Sequence, residues 1–294
     1  MLMDNSRVEM LMEAIPYLTE FKDKTVVVKY GGNAMLNDEL KNSVLQDIVF
    51  LQKAGMHPVI VHGGGPEITR LLKQAGIESK FIGGMRVTDA ATVGIAEMAL
   101  VGKTNTDLVG RLNVLGGKAI GLNGKDAKLL CAKKQLADVY ENGEVNLVDV
   151  GFVGSVEKVN TELIEMLMGA GYIPVIAPIG LGENGETYNI NADIVAGEVA
   201  AALKAEKLLM LTDVKGIYSN YPDEDSFVST LTFDLAHELV MGNKIDGGMI
   251  PKVKACITAL NGGAKKTHII DGRAPHSILI EILSDKGIGT EVVR

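Results

Sequence analysis

A lysine stands between an apolar run and a glycine pair near the start of the chain. The segment reads TVVVKYGGNAM from Thr25, so Lys29 directly follows three valines. Contiguous β-branched residues are typical of a strand that is covered on both faces. A cation at the carboxyl end of such a strand, beside backbone N–H groups that glycine leaves accessible, is suited to an anion such as phosphate. The alternative is a strand-end lysine that reaches water along an apolar stem, followed by an ordinary turn.

A second glycine-rich turn follows the next apolar run. The segment HPVIVHGGGPEI begins at His57, and its Pro66 is suited to the first turn of a helix. If the two strands are parallel neighbours, both glycine turns lie at one edge of the sheet, where a helix N-terminus favours an anion. Taken alone, each turn is also explained as an ordinary connecting loop. The two turns together with Lys29 favour an anion site at the strand ends.

An alternation of strands and helices positions these turns. Apolar runs typical of buried strands alternate with amphipathic segments, mostly through short links, which predicts an α/β protein with a mostly parallel open sheet. Apolar residues at helical spacing predict a first helix from about residue 5 to 21, kinked at Pro16. We expect two separate helices at residues 90–101 and 104–115, and a hairpin within residues 147–159 that bends at a glycine.

A polar, glycine-rich stretch at residues 180–185 marks a boundary between two lobes of one sheet. Its sequence, GLGENG, also matches the G-x-G-x-x-G pattern of dinucleotide-binding folds, in which a helix must open within the motif. The residues that follow, ETYNI, are instead typical of an extended segment. A dehydrogenase is therefore an alternative that depends on this motif alone.

The composition and charge argue against several classes of function. The chain has 294 residues, of which 47% are hydrophobic, a value typical of a globular protein. A net charge of −8 argues against a general nucleic-acid binder. No apolar run approaches the roughly 20 residues that span a membrane, so no membrane partner is expected. The two cysteines, Cys131 and Cys256, have no zinc-site spacing and suit a reducing cytoplasm, where we expect the protein to act.

Six segments, in order along the chain, resemble the amino acid kinase family. They are VVVKYGGNAM, VIVHGGGPEI, GGMRVTD, YNINADIVAGEVAAAL, LLMLTDVKGIY and GGMIPKVKA. The resemblance implies a three-layer αβα sandwich around the sheet and an ATP-dependent kinase. HGGGP, GGMRVT and NINAD resemble the branch that phosphorylates the side-chain carboxylate of N-acetyl-L-glutamate to N-acetylglutamyl 5-phosphate, the second step of arginine biosynthesis. Two alternatives stay open: a member that acts on aspartate, glutamate or carbamate, and a nucleotide sensor without catalysis.

The same resemblance implies a catalytic core of two cations and one acid. Lys29 would contact the transferring phosphoryl group, and Lys252 would lie near the leaving oxygen between the β- and γ-phosphates. Asp193 would hold both ammonium groups in place, although the helix dipole alone also explains an acid in a first helical turn. A carboxylate acceptor, with a pKa of about 4.3, is ionised at neutral pH, so no general base is expected.

Backbone groups and two polar side chains are implied for the substrate. Gly64 and Gly65 would offer N–H groups to the reacting carboxylate, and Gly32 would lie at the phosphoryl oxygens. Arg86 would clamp the α-carboxylate through two parallel hydrogen bonds, and Asn189 would bind the same molecule. The alternative for Arg86 is a charge on the surface of a hairpin.

The segment TDVKGIY is expected to bind the nucleotide. The resemblance implies that ATP contacts Thr212, Asp213, Val214, Gly216 and Tyr218. Mg²⁺ would be held chiefly by the ATP phosphates and water, with no metal held by protein ligands alone.

The C-terminal segment HIIDGRAPHSILIEILSDKGIGT resembles that of the family members that arginine inhibits. By this resemblance, an L-arginine site would include His268, Glu281 and Gly287. Glu281 would pair with a cationic part of arginine, and Gly287 would offer backbone. A solvated helix charge and an ordinary turn are the alternatives for these two residues.

The N-terminal helix is a further part of the resemblance to the arginine-inhibited members. It implies that dimers join into a hexamer, a trimer of dimers, whereas a helix packed on its own subunit is the alternative. We expect residues 1–22 to serve assembly, residues 23–180 to form the acyl-amino-acid lobe, and residues 181–294 to form the ATP lobe with the arginine site.

Overall fold

The larger sheet is built from short, buried strands whose helical connections lie on both faces. The computed structural model describes residues 5–35, 37–141, 144–220, 223–242, 245, 248–284 and 287–294. The strands are β1 Thr25–Tyr30, β2 His57–His62, β3 Phe81–Ile82, β4 Met85–Arg86, β5 Ala119–Asn123, β6 Leu130–Glu141, β7 Glu144–Val159, β8 Ile173–Ala177, β9 Ile179–Leu181, β10 Thr187–Ile190, β11 Lys207–Thr212, β12 Ile217–Tyr218, β13 Phe227–Val228, β14 Thr230–Thr232, β15 Lys266–Asp271 and β16 Thr290–Val293. The helices are α1 Asn5–Glu20, α2 Asp38–Lys53, α3 Gly65–Gln74, α4 Ala90–Glu97, α5 Thr106–Val114, α6 Glu162–Gly169, α7 Ala192–Ala202, α8 Phe233–Met241, α9 Ile250–Gly262 and α10 Ser277–Ile282.

The strand order places β1 near the middle of this sheet. Within the described residues, eight strands follow the order β14-β16-β15-β11-β1-β2-β8-β5. Each of these neighbouring pairs is parallel except β15 with β16. The predicted mostly parallel sheet is therefore confirmed, and so is the expectation that the two glycine turns follow neighbouring strands.

Alternate residues of β1 belong to cores on opposite faces of the sheet, because successive side chains of a strand point to opposite sides. Val27 packs with residues of α6, α7, α8 and α9. Val26 and Val28 pack with residues of α2, α5 and α10. This arrangement confirms the three-layer αβα architecture. Lys29 shares the face of Val27 and so points toward the layer that contains α7 and α9.

Helices α7 and α9 lie backbone to backbone at two places. A Cβ atom added to Gly197 of α7 would lie 2.7 Å from the carbonyl oxygen of Ala255 and 2.9 Å from its Cα, both in α9. At the other end of the contact, a Cβ added to Gly262 would overlap Ala201. Only glycine permits this separation of the two helices.

A second, smaller sheet was not predicted. Strands β10, β7, β6 and β9 form a small closed barrel beside the main sheet. The predicted hairpin within residues 147–159 is wrong, because β7 runs unbroken through Gly151 and pairs with β6 instead. Gly151 has a φ of +86° and bridges Thr88, so it bends the strand without ending it.

One alternative and one further expectation are wrong. The motif GLGENG joins β9 to β10, which pair antiparallel, so no helix opens there and the dinucleotide interpretation is wrong. The two helices predicted at residues 90–101 and 104–115 are joined, because a π-helical segment, Met98–Asn105, connects α4 to α5.

The predicted N-terminal helix is present as α1, with Pro16 inside it. Residues 1–4, at the start of the segment expected to serve assembly, lie outside the described residues. None of the helices formed by the described residues has the length and apolar character required to cross a bilayer.

The contact between α7 and α9 leads to a prediction about stability. Gly197→Ala must push the helices apart or distort them, so we expect a loss of about 1–3 kcal/mol in the free energy of unfolding, as overpacked cores show. Denaturant titration would measure it. Gly110→Ala is the matched control, because Gly110 is an exposed helical glycine with no atom within 4 Å of the added Cβ. Equal stability of the two variants would contradict the prediction.

Candidate active site

A cleft of about 640 Å³ opens at the carboxyl ends of β1 and β2. It contains seven of the residues that the sequence singled out: Lys29, Gly32, Gly64, Gly65, Arg86, Asn189 and Asp193. Ligands of open α/β sheets bind at this edge, outside the carboxyl ends of the strands.

A buried carboxylate of the cleft lining lies between two ammonium groups, of which Lys29 also lines the cleft and Lys252 does not. Lys29 Nζ is 2.8 Å from Asp193 Oδ1, and Lys252 Nζ is 3.0 Å from Asp193 Oδ2. Asp193 lies in the first turn of α7, where the side chain of Asn191 caps the helix, and Lys252 lies in the first turn of α9. Strand β1 and helices α7 and α9 therefore each place one charged side chain at the same point. We call Lys29, Asp193 and Lys252 the charge triad.

The pKa values in the charge triad reflect burial and mutual attraction. Burial lowers the pKa of Lys29, and attraction to Asp193 offsets part of this effect while repulsion from Lys252 adds to it. Burial alone would raise the pKa of Asp193, but the two ammonium groups outweigh it and hold that pKa below its usual range. The carboxylate is therefore ionised at neutral pH.

The two glycine turns touch each other above the charge triad. Gly63 donates its backbone N–H to the carbonyl of Tyr30 at 2.8 Å, which ties the second turn to the end of β1. A Cβ on Gly31 would lie 2.9 Å from Lys29 Nζ, so this glycine leaves room for the ammonium group. Gly32 has a φ of +72° and no atom within 4 Å of an added Cβ, so space is open above it.

Arg86 is buried in the cleft lining, where its guanidinium donates to the carbonyl of Gly65 at 3.2 Å. Its guanidinium donates to Ser79 Oγ at 2.6 Å and to Thr69 Oγ1 at 2.9 Å, and it stacks 4.7 Å from the ring centre of Phe81. The alternative of an exposed hairpin charge is therefore wrong, since Arg86 is only 8% exposed. Asn189 lies on β10 and lines the same cleft.

The predicted nucleotide residues lie beside the cleft, at and after the carboxyl end of β11, which is the other neighbour of β1. Asp213 is close enough to raise the pKa of Lys29. Tyr218 packs edge-on against Phe227, and an added Cβ on Gly216 would overlap Thr290. Thr212 is buried and Val214 half-buried. Among the described residues, no three His, Cys, Asp or Glu side chains converge as metal ligands.

The three residues singled out near the C-terminus also lie together. His268 Nδ1 is 2.7 Å from Glu281 Oε1, and an added Cβ on Gly287 would lie 2.7 Å from the same oxygen. Lys207 lies 3.4 Å from His268 Nε2 and stacks 5.1 Å from the ring centre of Phe21, just after α1. We call His268, Glu281, Gly287 and Lys207 the basal cluster. The name reflects the position of Lys207, which begins β11 and so lies at the end of the strands opposite the cleft. Glu281 is buried, so the alternative of a solvated helix charge is wrong.

Comparison with known proteins decides the family. The sequence profile of the amino acid kinase family matches residues 24–271. The chain belongs to the amino acid kinase family. This amino acid kinase is 57% identical, over 283 residues, to a protein of Moorella thermoacetica named acetylglutamate kinase, and the match covers 96% of each chain.

Solved structures show the same fold for this amino acid kinase. An N-acetylglutamate synthase from Neisseria gonorrhoeae, in complex with coenzyme A and N-acetylglutamate, matches 98% of the chain with a TM-score of 0.82 and 26% identity. The same synthase in complex with coenzyme A and L-arginine matches 97% of the chain with a TM-score of 0.79 and 25% identity. The chain spans 63% and 65% of the synthase in these two structures.

Several residues of the cleft and the basal cluster were missed by sequence reasoning. Lys41 and Arg111 line the cleft and both pair with Asp107, at 3.3 and 3.2 Å. In the sequence these residues look like ordinary charges on helix surfaces, because α2 and α5 meet only in the folded protein. The sequence pattern did not single out Lys207 as a site residue either, because a lysine at the start of a strand is normally solvated.

The charge triad makes a prediction about pH. Because the charge of Asp193 raises the pKa of Lys29, Asp193→Asn removes that support and lowers this pKa further. Lys29 then loses its proton at a lower pH, so we expect the alkaline limb of kcat/KM to move toward lower pH. A pH profile of phosphoryl transfer measures this shift. Asp149→Asn, which breaks an exposed pair with Lys134, is the control. An unmoved limb in a folded Asp193→Asn variant would contradict the electrostatic link.

Proposed function

We propose that the cleft transfers the γ-phosphoryl group of ATP to the side-chain carboxylate of N-acetyl-L-glutamate. The observation that carries this function is the charge triad, in which two ammonium groups converge on one carboxylate of the cleft lining. The acetylglutamate kinase of Moorella thermoacetica, at 57% identity, supports the choice of acceptor. The product, N-acetylglutamyl 5-phosphate, belongs to the second step of arginine biosynthesis.

The chemistry requires positioning and positive charge rather than a base. The acceptor carboxylate is already an anion, and it must approach a phosphoryl group whose charge is spread over three oxygens. We assign Lys29 to the transferring group and Lys252 to the leaving oxygen, with Asp193 fixing both. Electrostatic stabilisation of this kind is usually the largest single contribution to catalysis.

The glycine turns and two polar side chains of the cleft would orient the acceptor. We assign Gly64 and Gly65 to its reacting carboxylate and Gly32 to the phosphoryl oxygens, since all three line the cleft. Arg86 and Asn189 would hold the other end of the molecule. The guanidinium of Arg86 is held in place by its own hydrogen bonds, so little freedom is lost on binding.

The nucleotide would lie beside β11, at Thr212, Asp213, Val214, Gly216 and Tyr218. Both oxygens of Asp193 are engaged by lysines, so this carboxylate fits a cation-holding role rather than a metal-ligand role. Mg²⁺ would therefore be carried by the ATP phosphates and water, where it neutralises phosphate charge.

We assign residues 23–180 to the acyl-amino-acid lobe and residues 181–294 to the ATP lobe. The cytoplasmic location expected from the sparse cysteines stays a prediction.

A panel of acids tests the acceptor. With ATP, Mg²⁺ and hydroxylamine, an acyl phosphate is trapped as a hydroxamate, and we expect N-acetyl-L-glutamate to give the fastest formation. Glutamate should react poorly because its ammonium group replaces an uncharged amide. Lys29→Met is the inactive control, with turnover lower by roughly 100- to 1,000-fold. Faster hydroxamate formation from glutamate, aspartate or carbamate would overturn the assignment.

We further propose that the basal cluster binds L-arginine as an inhibitor. It joins a buried carboxylate, Glu281, to His268 and to the backbone N–H of Ile288, next to Gly287, and it adjoins the end of α1 through Phe21. The synthase with which the chain shares its fold has been solved with L-arginine. Inhibition requires that arginine bind one arrangement of the lobes better than another.

We also propose that α1 joins dimers into a hexamer. Its apolar residues Val8, Leu11, Met12 and Ile15 are between 41% and 61% exposed, so this stripe is largely uncovered by the chain itself. Burial of such a stripe against a second copy would remove apolar surface from water. Residues 1–22 would thus serve assembly.

Two variants test regulation. Glu281→Ala should relieve inhibition by L-arginine, because the effector loses its carboxylate partner, and steady-state rates across an arginine titration measure this.

Deletion of residues before Asp23 should reduce the hexamer to dimers, which light scattering measures. Glu9→Ala, which changes an exposed charge on α1, is the control. Full activity in millimolar arginine, together with a dimeric mass for the intact chain, would defeat the idea and leave the kinase assignment in place.

A further inference from the structure

A buried histidine lies directly before the second glycine turn. His62 ends β2, is fully buried, and places Nδ1 2.8 Å from the carbonyl oxygen of Gly63. A carbonyl oxygen only accepts hydrogen bonds, so Nδ1 must carry the proton. Burial lowers the pKa of His62 to about 4, which keeps the ring neutral at neutral pH. Nε2 is therefore an acceptor.

An asparagine fixes this tautomer from the other side. Asn105 donates one amide hydrogen to His62 Nε2 at 3.1 Å and the other to the carbonyl of Val175 at 2.8 Å. It is the last residue of the π-helical segment, and π-helices are rare features that often occur at functional sites. Gly121 makes room for it, since an added Cβ there would overlap Asn105 Oδ1.

The backbone at Gly63 and Gly64 is held from several directions. The N–H of Gly63 is bonded to Tyr30, its carbonyl to His62, and Gly64 packs against Leu100 of the π-helical segment. A trans peptide is planar, so its C=O and N–H point in opposite directions. A carbonyl drawn toward His62 therefore turns the N–H of Gly64 to the opposite side of the peptide.

We propose that His62, held by Asn105, is a positioning residue that orients the N–H of Gly64 toward the reacting carboxylate of the acceptor. The inference rests on the proposed function, because it assigns Gly64 to that carboxylate. A neutral donor placed in this way holds the carboxylate, which is already an anion, in position for attack without adding a further buried ion. The competing explanation is a core histidine whose hydrogen bonds contribute stability alone.

Two amide substitutions separate the explanations. In His62→Asn the side-chain amide takes the place of Nδ1 and can still donate to the carbonyl of Gly63. In His62→Gln it takes the place of Nε2 and retains only the link to Asn105. We expect kcat to fall roughly 10- to 100-fold in His62→Gln, as for a misplaced catalytic group, and to fall distinctly less in His62→Asn. KM for ATP should stay unchanged in both. His57→Asn, at the far end of the same strand, is the matched control.

A double-mutant cycle tests the same link through Asn105, and Asn105→Ala alone provides a second variant if one of the His62 variants does not fold. Asn105→Ala should lower kcat without touching the substrate, and its effect should be strongly non-additive with that of His62→Gln, because both act through one peptide. Equal losses of kcat in His62→Asn and His62→Gln, in proportion to their losses of thermal stability, would overturn the proposal, as would additive effects in the cycle. If another acid proves to be the substrate, the proposed function fails. The kcat values of His62→Asn and His62→Gln, compared on that acid, still decide the role of His62.

Discussion

A buried carboxylate between two ammonium groups is the interaction on which the rest of the structure depends. Removing these charges from water costs several kcal/mol for each ion unless every partner is held in good geometry. Lys29 comes from the middle of the sheet, Asp193 from the capped start of α7, and Lys252 from the start of α9. The glycines that allow α7 and α9 to approach so closely therefore help to place Asp193 beside Lys252, in addition to packing the two helices.

The balance of charge in this group accounts for the chemistry of the cleft. Two cations against one carboxylate leave a net positive charge at the point where the proposed function would bring two anions together, a carboxylate and a phosphoryl group. The glycine turns add N–H donors without further ions, and His62 and Asn105 connect one of these turns to the interior. A base is unnecessary, which explains why the histidine nearest the site is buried and neutral rather than exposed to substrate.

The features that could be predicted from sequence are those with a local signature. Parallel strands and glycine turns follow from runs and spacings of a few residues, whereas the grouping of Lys29, Asp193 and Arg86 was implied by the resemblance to the amino acid kinase family. The small barrel could not be predicted, because Gly151 resembles a turn when the strand on the other side is unknown. Asn105 could not be predicted either, since it stands among other polar residues in the run KTNTD, and its partners lie 43 and 70 positions away.

The continuity of the main sheet has a consequence for the chain as a folding unit. Strand β1, from the first half of the sequence, pairs on one side with β2 and on the other with β11 from the second half. Neither half can be separated without exposing a central, apolar strand edge, and such edges are templates for aggregation. The two proposed lobes are thus not autonomous domains. They must fold together, and a protease cut between them would leave two fragments that stay associated through the hydrogen bonds of one shared sheet.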